Sequence, residues 1–209
     1  MSVKINRDWF EALASSAPTP GGGGAAGLSG AAGAALGAMV ANLTIGKKKY
    51  AAVEAEVKER LEVLEKQMYE MLDLIEADAK GFEPLAKAYS LPTSTDEEKA
   101  EKEKIMAVAL KSACAVPLRT MNLGIEILDN IAYLAKNGSV MAVSDAAAGA
   151  QLVRTAVLAA SMNVYINTKS MKDRELAQNY NAEADRLNDK AVAEADKIFN
   201  ETKEALKCR

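Results

Sequence analysis

Among the carboxylates of this sequence, Asp78 is the most informative candidate for acid/base chemistry, because of its position on a predicted helix. The chain contains no histidine, which excludes the usual proton-transfer side chain near neutral pH, Ser-His and Cys-His nucleophile pairs, and imidazole-containing zinc sites. Cys114 and Cys208 form no CxxC pair, so neither a disulfide framework nor a thiolate metal cluster is expected. Proton transfer is left to carboxylates, lysine, tyrosine or water.

Asp78 lies near the apolar face of a predicted helix. Apolar residues from Val53 to Ala79 recur at spacings of three and four, and Asp78 falls about 60° from the centre of that stripe on a helical projection. A buried carboxylate is destabilising without partners. Asp78 is therefore either a structural hydrogen-bond acceptor or a functional group with a raised pKa, and the spacing leaves both alternatives open.

Four consecutive glycines at positions 21–24 follow a Pro-Thr-Pro turn at 18–20. The run from Gly22 to Gly27 matches GxGxxG by letter, but the dinucleotide-binding fingerprint requires a preceding strand. Glycines that lead into a helix expose free backbone N–H groups at the positive end of its dipole, where carbonyl or anionic groups can dock. Contact with a ligand and close packing are equally compatible with the run.

Other polar residues lie among apolar ones. Asn42, Asn163 and Asn167 could satisfy backbone groups or form hydrogen bonds with the ring edges of a ligand. Asp145 suits a helix N-cap as well as a functional site. The lysines at 47–49 are typical of a solvated helix start, although they could attract a substrate carboxylate.

The elements that must position these residues are predicted to be helices, since apolar spacings of three and four dominate. The sequence predicts an all-α bundle of long antiparallel helices, with Pro117 kinking one of them. The expected helices are a short capped one at the N-terminus, one from Lys47 to about Phe82, one from Ser94 or Thr95 to Asn137, one from an N-cap at Ser144 or Asp145 through Ile166, and one from Lys172 to Leu206.

The uncharged segment at 21–46 is long enough for a membrane span to be considered. It consists mostly of glycine and alanine, which contribute little to membrane insertion, so a buried core helix is favoured. The small residues on one face of this segment predict close approach of another helix, at the centre of the bundle or at a subunit interface; they are Ala26, Gly30, Gly33, Gly37 and Ala41.

Size and composition indicate one globular domain that spans residues 1–209. Hydrophobic residues make up 49% of the chain and charged residues 26%, and the net charge is −3. This net negative charge excludes the excess of positive charge that is typical of a nucleic-acid-binding protein. The N-terminus lacks the apolar core of a signal peptide, so a cytoplasmic protein is expected.

Several short blocks, in order along essentially the whole chain, resemble the formiminotetrahydrofolate cyclodeaminase / methenyltetrahydrofolate cyclohydrolase family. The blocks are 10–15, 18–24, 39–44, Asp78-Ala79 with Phe82, 88–92, Val116-Pro117, Ser144-Asp145, and Asn163-Val164 with Asn167. The resemblance implies an all-helical protein that forms homodimers and acts on the one-carbon unit at N5 and N10 of tetrahydrofolate. It implies no metal and no cofactor beyond that substrate.

The resemblance also implies roles for individual residues. Asp78 matches the family's proton donor or acceptor, for cyclisation of 5-formiminotetrahydrofolate with ammonia release or for hydrolysis of 5,10-methenyltetrahydrofolate. Members often carry Glu-Ala where this chain has Lys80-Gly81, which would place a cation near the site. The residues expected to line the folate cleft are Thr19, Pro20, Gly21, Gly22, Gly23, Gly24 and Asn42, with Asp145 and Asn163 on its opposite wall.

A different class of function is the alternative. The same fold could serve as a non-catalytic helical dimer that binds folate or another protein. Asp78 would then be a structural hydrogen-bond acceptor, and its loss would lower stability more than it altered any response to a ligand.

Overall fold

A computed structural model describes residues 6–208, and within that range the chain forms six α-helices and no strand. The helices are α1 (Arg7–Leu13), α2 (Gly22–Asn42), α3 (Glu54–Tyr89), α4 (Asp96–Asn137), α5 (Val143–Lys169) and α6 (Arg174–Lys207), with short 3₁₀ turns at Lys48–Tyr50 and Val140–Ala142. The all-α prediction is confirmed.

The long helices α2 to α6 form a bundle in which successive helices run antiparallel. Gly23 near the start of α2 lies against Asp78 late in α3, whereas Gly37 near the end of α2 lies against Leu64 earlier in α3. Helix α2 packs against α3, α4 and α5. A large apolar core that α2 to α6 share holds the bundle together.

Helix α2 is the buried core helix that its composition predicts. Among the described residues it is the one helix long and apolar enough to cross a membrane, and 61% of its most apolar window is buried inside the bundle. Its small-residue face contacts neighbours within the same chain. A Cβ at Gly30 would lie 2.7 Å from the Met71 sulfur atom, and a Cβ at Gly37 would lie 3.0 Å from Ile131.

Gly33 marks the closest approach of α2 to α5, so Gly33→Ala is expected to lower the free energy of unfolding by about 1–3 kcal/mol. The added methyl group would overlap the Val153 side chain and meet the Gly149 carbonyl oxygen at 2.8 Å. Urea denaturation followed by circular dichroism measures the change. Asn42→Ser, at an exposed position on the same helix, should stay within about 0.5 kcal/mol of wild type. Equal stability of the two variants would contradict this account.

Two helix boundaries in α3 differ from the prediction. The helix begins at Glu54 rather than Lys47, because the intervening segment turns at Gly46, whose φ is +77°, and then forms a 3₁₀ turn. It continues past Phe82 to Tyr89. Pro84 is tolerated inside it because that proline is exposed, so water can reach the backbone carbonyl that loses its helical partner.

The other predicted helix signals are partly confirmed. The capping box at the start of α4 is present, with Thr95 as N-cap and Glu98 as its partner. Helix α4 is unbroken through Pro117. The predicted N-cap of α5 is wrong: Ala142 is the N-cap, and both Ser144 and Asp145 lie in the first turn of the helix. The 3₁₀ turn that leads into α5 aligns the backbone there without a side-chain cap.

Candidate functional site

A cavity of about 170 Å³ lies at one end of the bundle, where the turn before α2 meets the later part of α3, the middle of α4 and the end of α5. Its walls are mostly small or apolar, and Asp78 is the one ionisable side chain among the described residues that line it. The lining consists of Pro18, Thr19, Gly21, Gly22, Gly23, Asp78, Gly81, Phe82, Ala113, Val116, Asn163, Ile166 and Asn167.

One wall of the cavity is the N-terminus of α2. Gly21 is the N-cap and supplies no side chain, and its carbonyl oxygen accepts from the Ala25 N–H at 3.0 Å. The N–H groups of Gly22, Gly23 and Gly24 have no hydrogen-bond acceptor among the described residues. These donors, at the positive end of the helix dipole, make this wall suited to ligand oxygen atoms.

Asp78 lies directly against the backbone of α2. A Cβ at Gly23 would overlap both carboxylate oxygens of Asp78, so glycine at this position lets the carboxylate approach the helix. The predicted inward orientation of Asp78 is confirmed. No side chain or backbone group of the described residues donates a hydrogen bond or forms a salt bridge to it, and burial raises its pKa above the ordinary value.

The glycine run therefore serves both purposes that the sequence leaves open. Gly21, Gly22 and Gly23 line the cavity. Gly24 does not, because its Cβ position faces Ile75, Pro20 and Trp9 at 3.5–3.6 Å. A Cβ at Gly24 would make only ordinary van der Waals contacts there, so the close packing that requires glycine is that of Gly23 against Asp78, and the first three glycines leave backbone facing the cavity.

Helix α5 contributes two asparagines to the opposite wall, one helical turn apart. The Nδ2 atom of Asn163 would lie 3.8 Å from a Cβ at Gly22. Asn167 is only 8% exposed, and its Nδ2 group donates a hydrogen bond of 3.1 Å to the Ala113 carbonyl oxygen. The sequence raises Asn167 as a polar residue but does not place it in the cleft; its spacing of four from Asn163 is the signal that could have done so.

The structure does not bring Asn42 or Asp145 to this cavity. Asn42 ends α2 and Asp145 lies in the first turn of α5, whereas the cavity lies near the opposite ends of the same two helices. A rise of 1.5 Å per residue separates these positions from the cavity by about 25–30 Å. Within one chain their placement in the folate cleft is therefore corrected, because each lies at the end of its helix that is far from the cavity lining. Pro20 lies in the adjoining turn but outside the lining.

The Lys80-Gly81 pair also differs from expectation. The Lys80 side chain is exposed and forms a 2.8 Å ion pair with Glu76, so it places no cation in the cavity. Gly81 does line the cavity, and a Cβ there would lie 3.7 Å from Val116. This departure therefore changes the shape of the wall rather than its charge.

Neither cysteine lines the cavity. Cys114 is buried and Cys208 is exposed, and each is a free thiol. Burial raises the pKa of Cys114 to about 11, so the thiol is protonated at neutral pH. Residues 6–208 contain no group of three or more His, Cys, Asp or Glu side chains arranged to hold a metal ion.

Comparisons with known proteins agree on one family. A family model described as Formiminotransferase-cyclodeaminase matches residues 6–186. A methenyltetrahydrofolate cyclohydrolase from Methylorubrum extorquens is 42% identical over 195 residues, which are 93% of this chain and 94% of that protein. A formimidoyltransferase-cyclodeaminase from Gallus gallus is 29% identical over 80% of this chain, which spans only 31% of that protein.

A solved structure shares the fold. The crystal structure of formiminotetrahydrofolate cyclodeaminase from Thermotoga maritima matches with a TM-score of 0.84 at 27% identity, and the match covers 97% of this chain and 98% of that one. The cyclohydrolase and this cyclodeaminase thus match the chain along nearly their whole length, whereas the Gallus gallus protein contains a large additional part.

Proposed function

The chain belongs to the formiminotransferase-cyclodeaminase family, and on that premise we propose that it is a cytoplasmic folate one-carbon enzyme that hydrolyses 5,10-methenyltetrahydrofolate to 10-formyltetrahydrofolate. The 42% identity with a methenyltetrahydrofolate cyclohydrolase over nearly the whole of both chains supports this reaction. Cyclisation of 5-formiminotetrahydrofolate, with release of ammonia, is the second candidate, because the fold matches a cyclodeaminase over 97% of the chain.

The observation that carries the catalytic part of the proposal is the unpaired carboxyl group of Asp78 in a cavity lined with backbone donors. Hydrolysis begins with the addition of water to the cationic methenyl carbon, and Asp78 accepts the proton that this water loses. It then returns the proton to N5 as the bond between N5 and the one-carbon unit breaks, and the hydroxyl group of the adduct releases its own proton to solvent as it becomes the formyl carbonyl. A negative charge beside the cavity also stabilises the cationic carbon.

The raised pKa of Asp78 suits both steps. A general base must be ionised to accept the proton, and a general acid must be able to give it back, so a pKa moved toward the working pH favours the pair of transfers. The cyclodeaminase reaction needs the same group, which moves a proton from N10 to the departing ammonia. Neither reaction needs histidine or a metal in this arrangement.

Substrate binding is assigned to the walls around Asp78. Thr19, Gly21, Gly22 and Gly23 present hydroxyl and backbone groups from the α2 side, and Asn163 faces them from α5. The free N–H groups of α2 are suited to ligand carbonyl oxygens. Phe82, Val116 and Ile166 add apolar surface for a ring system.

Two assays on the same preparation test the proposal. One follows loss of methenyltetrahydrofolate by absorbance, and the other measures ammonia released from 5-formiminotetrahydrofolate. Faster turnover in the first supports the cyclohydrolase assignment, and faster turnover in the second makes the chain a cyclodeaminase. Turnover of neither substrate by the folded protein would refute the enzyme assignment and favour the non-catalytic alternative.

A homodimer is part of the proposal, and one exposed surface supports it. Adjoining helices α2 and α5 share an uncharged, largely apolar surface, here named the α2–α5 face; its residues are Ala32, Met39, Leu43, Ala148, Thr155, Met162 and Ile166. Met39 is 46% exposed and Met162 is 58% exposed. Continuous apolar surface of this kind marks association sites, and a second copy with the same face completes a two-fold dimer. Ile166 also lines the cavity, so the cavity adjoins this face.

The wild-type protein is expected to elute as a dimer, and Met39→Lys is expected to shift it to a monomer, because a lysine within the α2–α5 face must lose hydration in a dimer. Size-exclusion chromatography with light scattering measures the mass. Val63→Lys, which replaces a 42% exposed apolar residue on α3, is the matched control and should remain dimeric. A monomeric wild type, or equal behaviour of the two variants, would remove this face as the interface.

A further inference from the structure

Pro117 leaves a backbone carbonyl without its helical partner in the interior of the protein. In an α-helix the carbonyl of residue 113 accepts from the N–H of residue 117, and proline has no N–H to donate. Pro117 and Ala113 are both buried in α4, so water cannot easily satisfy this carbonyl. The exposed Pro84 in α3 differs, because water can satisfy the carbonyl that it frees.

Asn167 satisfies the carbonyl that Pro117 frees. Its Nδ2 group donates to the Ala113 oxygen at 3.1 Å. A carbonyl oxygen only accepts hydrogen bonds, so the amide of Asn167 can face it only with the nitrogen and must turn its Oδ1 atom the other way. The neighbouring Cys114 thiol also lies within hydrogen-bonding reach of Asn167.

The Oδ1 atom of Asn167 is available to a ligand. Asn167 is only 8% exposed and lines the cavity that contains Asp78. No group of the described residues donates a hydrogen bond to Oδ1. The atom is nevertheless not fully enclosed by the protein, since the fully enclosed side-chain atoms without a partner do not include it. Oδ1 therefore keeps some accessible surface, and its residue forms part of the cavity wall.

We propose that Pro117 positions Asn167 for substrate binding. The Ala113 carbonyl that Pro117 frees holds the Asn167 amide so that Oδ1 is turned into the cavity. There Oδ1 accepts a hydrogen bond from an N–H group of the bound pterin. The inference rests on the proposed function and extends it. Asn167 is a binding residue here, and Pro117 acts through it as a positioning residue.

The cavity then presents a pattern that suits a reduced pterin. Asp78 and Asn167 supply acceptors, and the first turn of α2 supplies N–H donors. The 2-amino-4-oxopyrimidine ring of tetrahydropterin carries N–H groups beside a carbonyl oxygen, so it offers complementary donors and an acceptor. An asparagine amide held in one orientation accepts from a ring edge that carries N–H donors, and it does not pair with an edge that carries only acceptors.

Pro117→Ala separates positioning from folding. The variant gains an N–H that bonds the Ala113 carbonyl within the helix, so the protein should remain folded, while this N–H competes with the Asn167 amide for the carbonyl oxygen and weakens its anchor. We expect the KM for methenyltetrahydrofolate to rise about 5- to 100-fold, the range for a lost or mispaired buried hydrogen bond, with little change in kcat. Asn167→Leu, close in shape but without an acceptor, should raise KM at least as much.

The matched control is Pro84→Ala, which restores an N–H to α3 at an exposed position outside the cavity and should leave KM unchanged. The double variant Pro117→Ala/Asn167→Leu should be no worse than Asn167→Leu alone, because both changes remove one interaction. Additive effects, or a KM for Pro117→Ala that matches the Pro84→Ala control, would overturn the inference. If Pro117→Ala does not fold, Asn167→Leu still tests the inference, because a normal KM for that variant would overturn it.

Failure of the proposed reaction gives a different result. If wild type turns over neither folate substrate, calorimetric binding of tetrahydrofolate to wild type, Pro117→Ala and Asn167→Leu replaces KM. Weaker binding to both variants would support the positioning role without the reaction. Equal binding to all three, or no binding to wild type, would overturn the inference.

Discussion

Asp78→Asn is expected to lower kcat for the folate reaction by about 10²- to 10⁴-fold, the usual contribution of a positioned acid or base. This range corresponds to roughly 3 to 5 kcal/mol of activation free energy. Asparagine keeps the size and shape of aspartate but can neither accept the proton from water nor return it to N5. The absorbance assay for methenyltetrahydrofolate measures the loss.

Asp73→Asn is the matched control, because Asp73 lies on the same helix but is exposed. It should keep wild-type turnover. Near-normal turnover by Asp78→Asn would remove Asp78 from the mechanism, and a loss of folding in that variant would favour the structural role. The structure argues against the structural role, since no described residue donates a hydrogen bond to this carboxyl group.

The pH dependence of wild type and Asp78→Asn tests whether titration of the Asp78 carboxyl group causes the loss of turnover. Burial raises the pKa of Asp78 above 3.8, so folding favours the protonated form. Its contribution to stability is present at low pH and is lost as pH rises through the raised pKa. At pH values above the raised pKa, Asp78→Asn should be at least as stable as wild type in urea denaturation. The turnover of wild type should decline on the acid side with a midpoint above 3.8, as the base becomes protonated.

Gly23→Ala is expected to lower kcat by about 100-fold, because displacement of a catalytic group by about 1 Å can have an effect of that size. The added methyl group would occupy the space of the Asp78 carboxylate, so either the carboxylate or the start of α2 must move. The same absorbance assay measures turnover, and circular dichroism checks that the bundle remains folded.

Gly22→Ala provides the comparison, since it adds the same methyl group to the same turn. Its closest contact would be the Asn163 side chain at 3.8 Å, which leaves room, so a much smaller loss is expected. Equal losses in the two variants would indicate that flexibility of the glycine run matters, rather than the contact between Gly23 and Asp78.

Much of the local structure of this protein could be predicted from its sequence, but the start of α3 and the N-cap of α5 could not. The period of the apolar residues specifies the long helices, Thr95 and Glu98 specify the start of α4, and the inward side of α3 that carries Asp78 follows from the same period. These features depend on residues only three or four positions apart. The same holds for the small-residue face of α2, which predicts close helix packing without naming the partner.

The composition of the cavity depended on the tertiary structure. Asn42 and Asp145 lie on the same helices as Gly22 and Asn163, which line the cavity, yet each lies at the far end of its helix. Asn167 meets the cavity because α5 runs antiparallel to α4 in a register that brings it to Ala113. Helix direction and register are determined by contacts between residues distant in sequence, and no local spacing encodes them. The sequence by itself thus determined the helices and the face that carries Asp78, and packing among the helices decided which polar groups meet there.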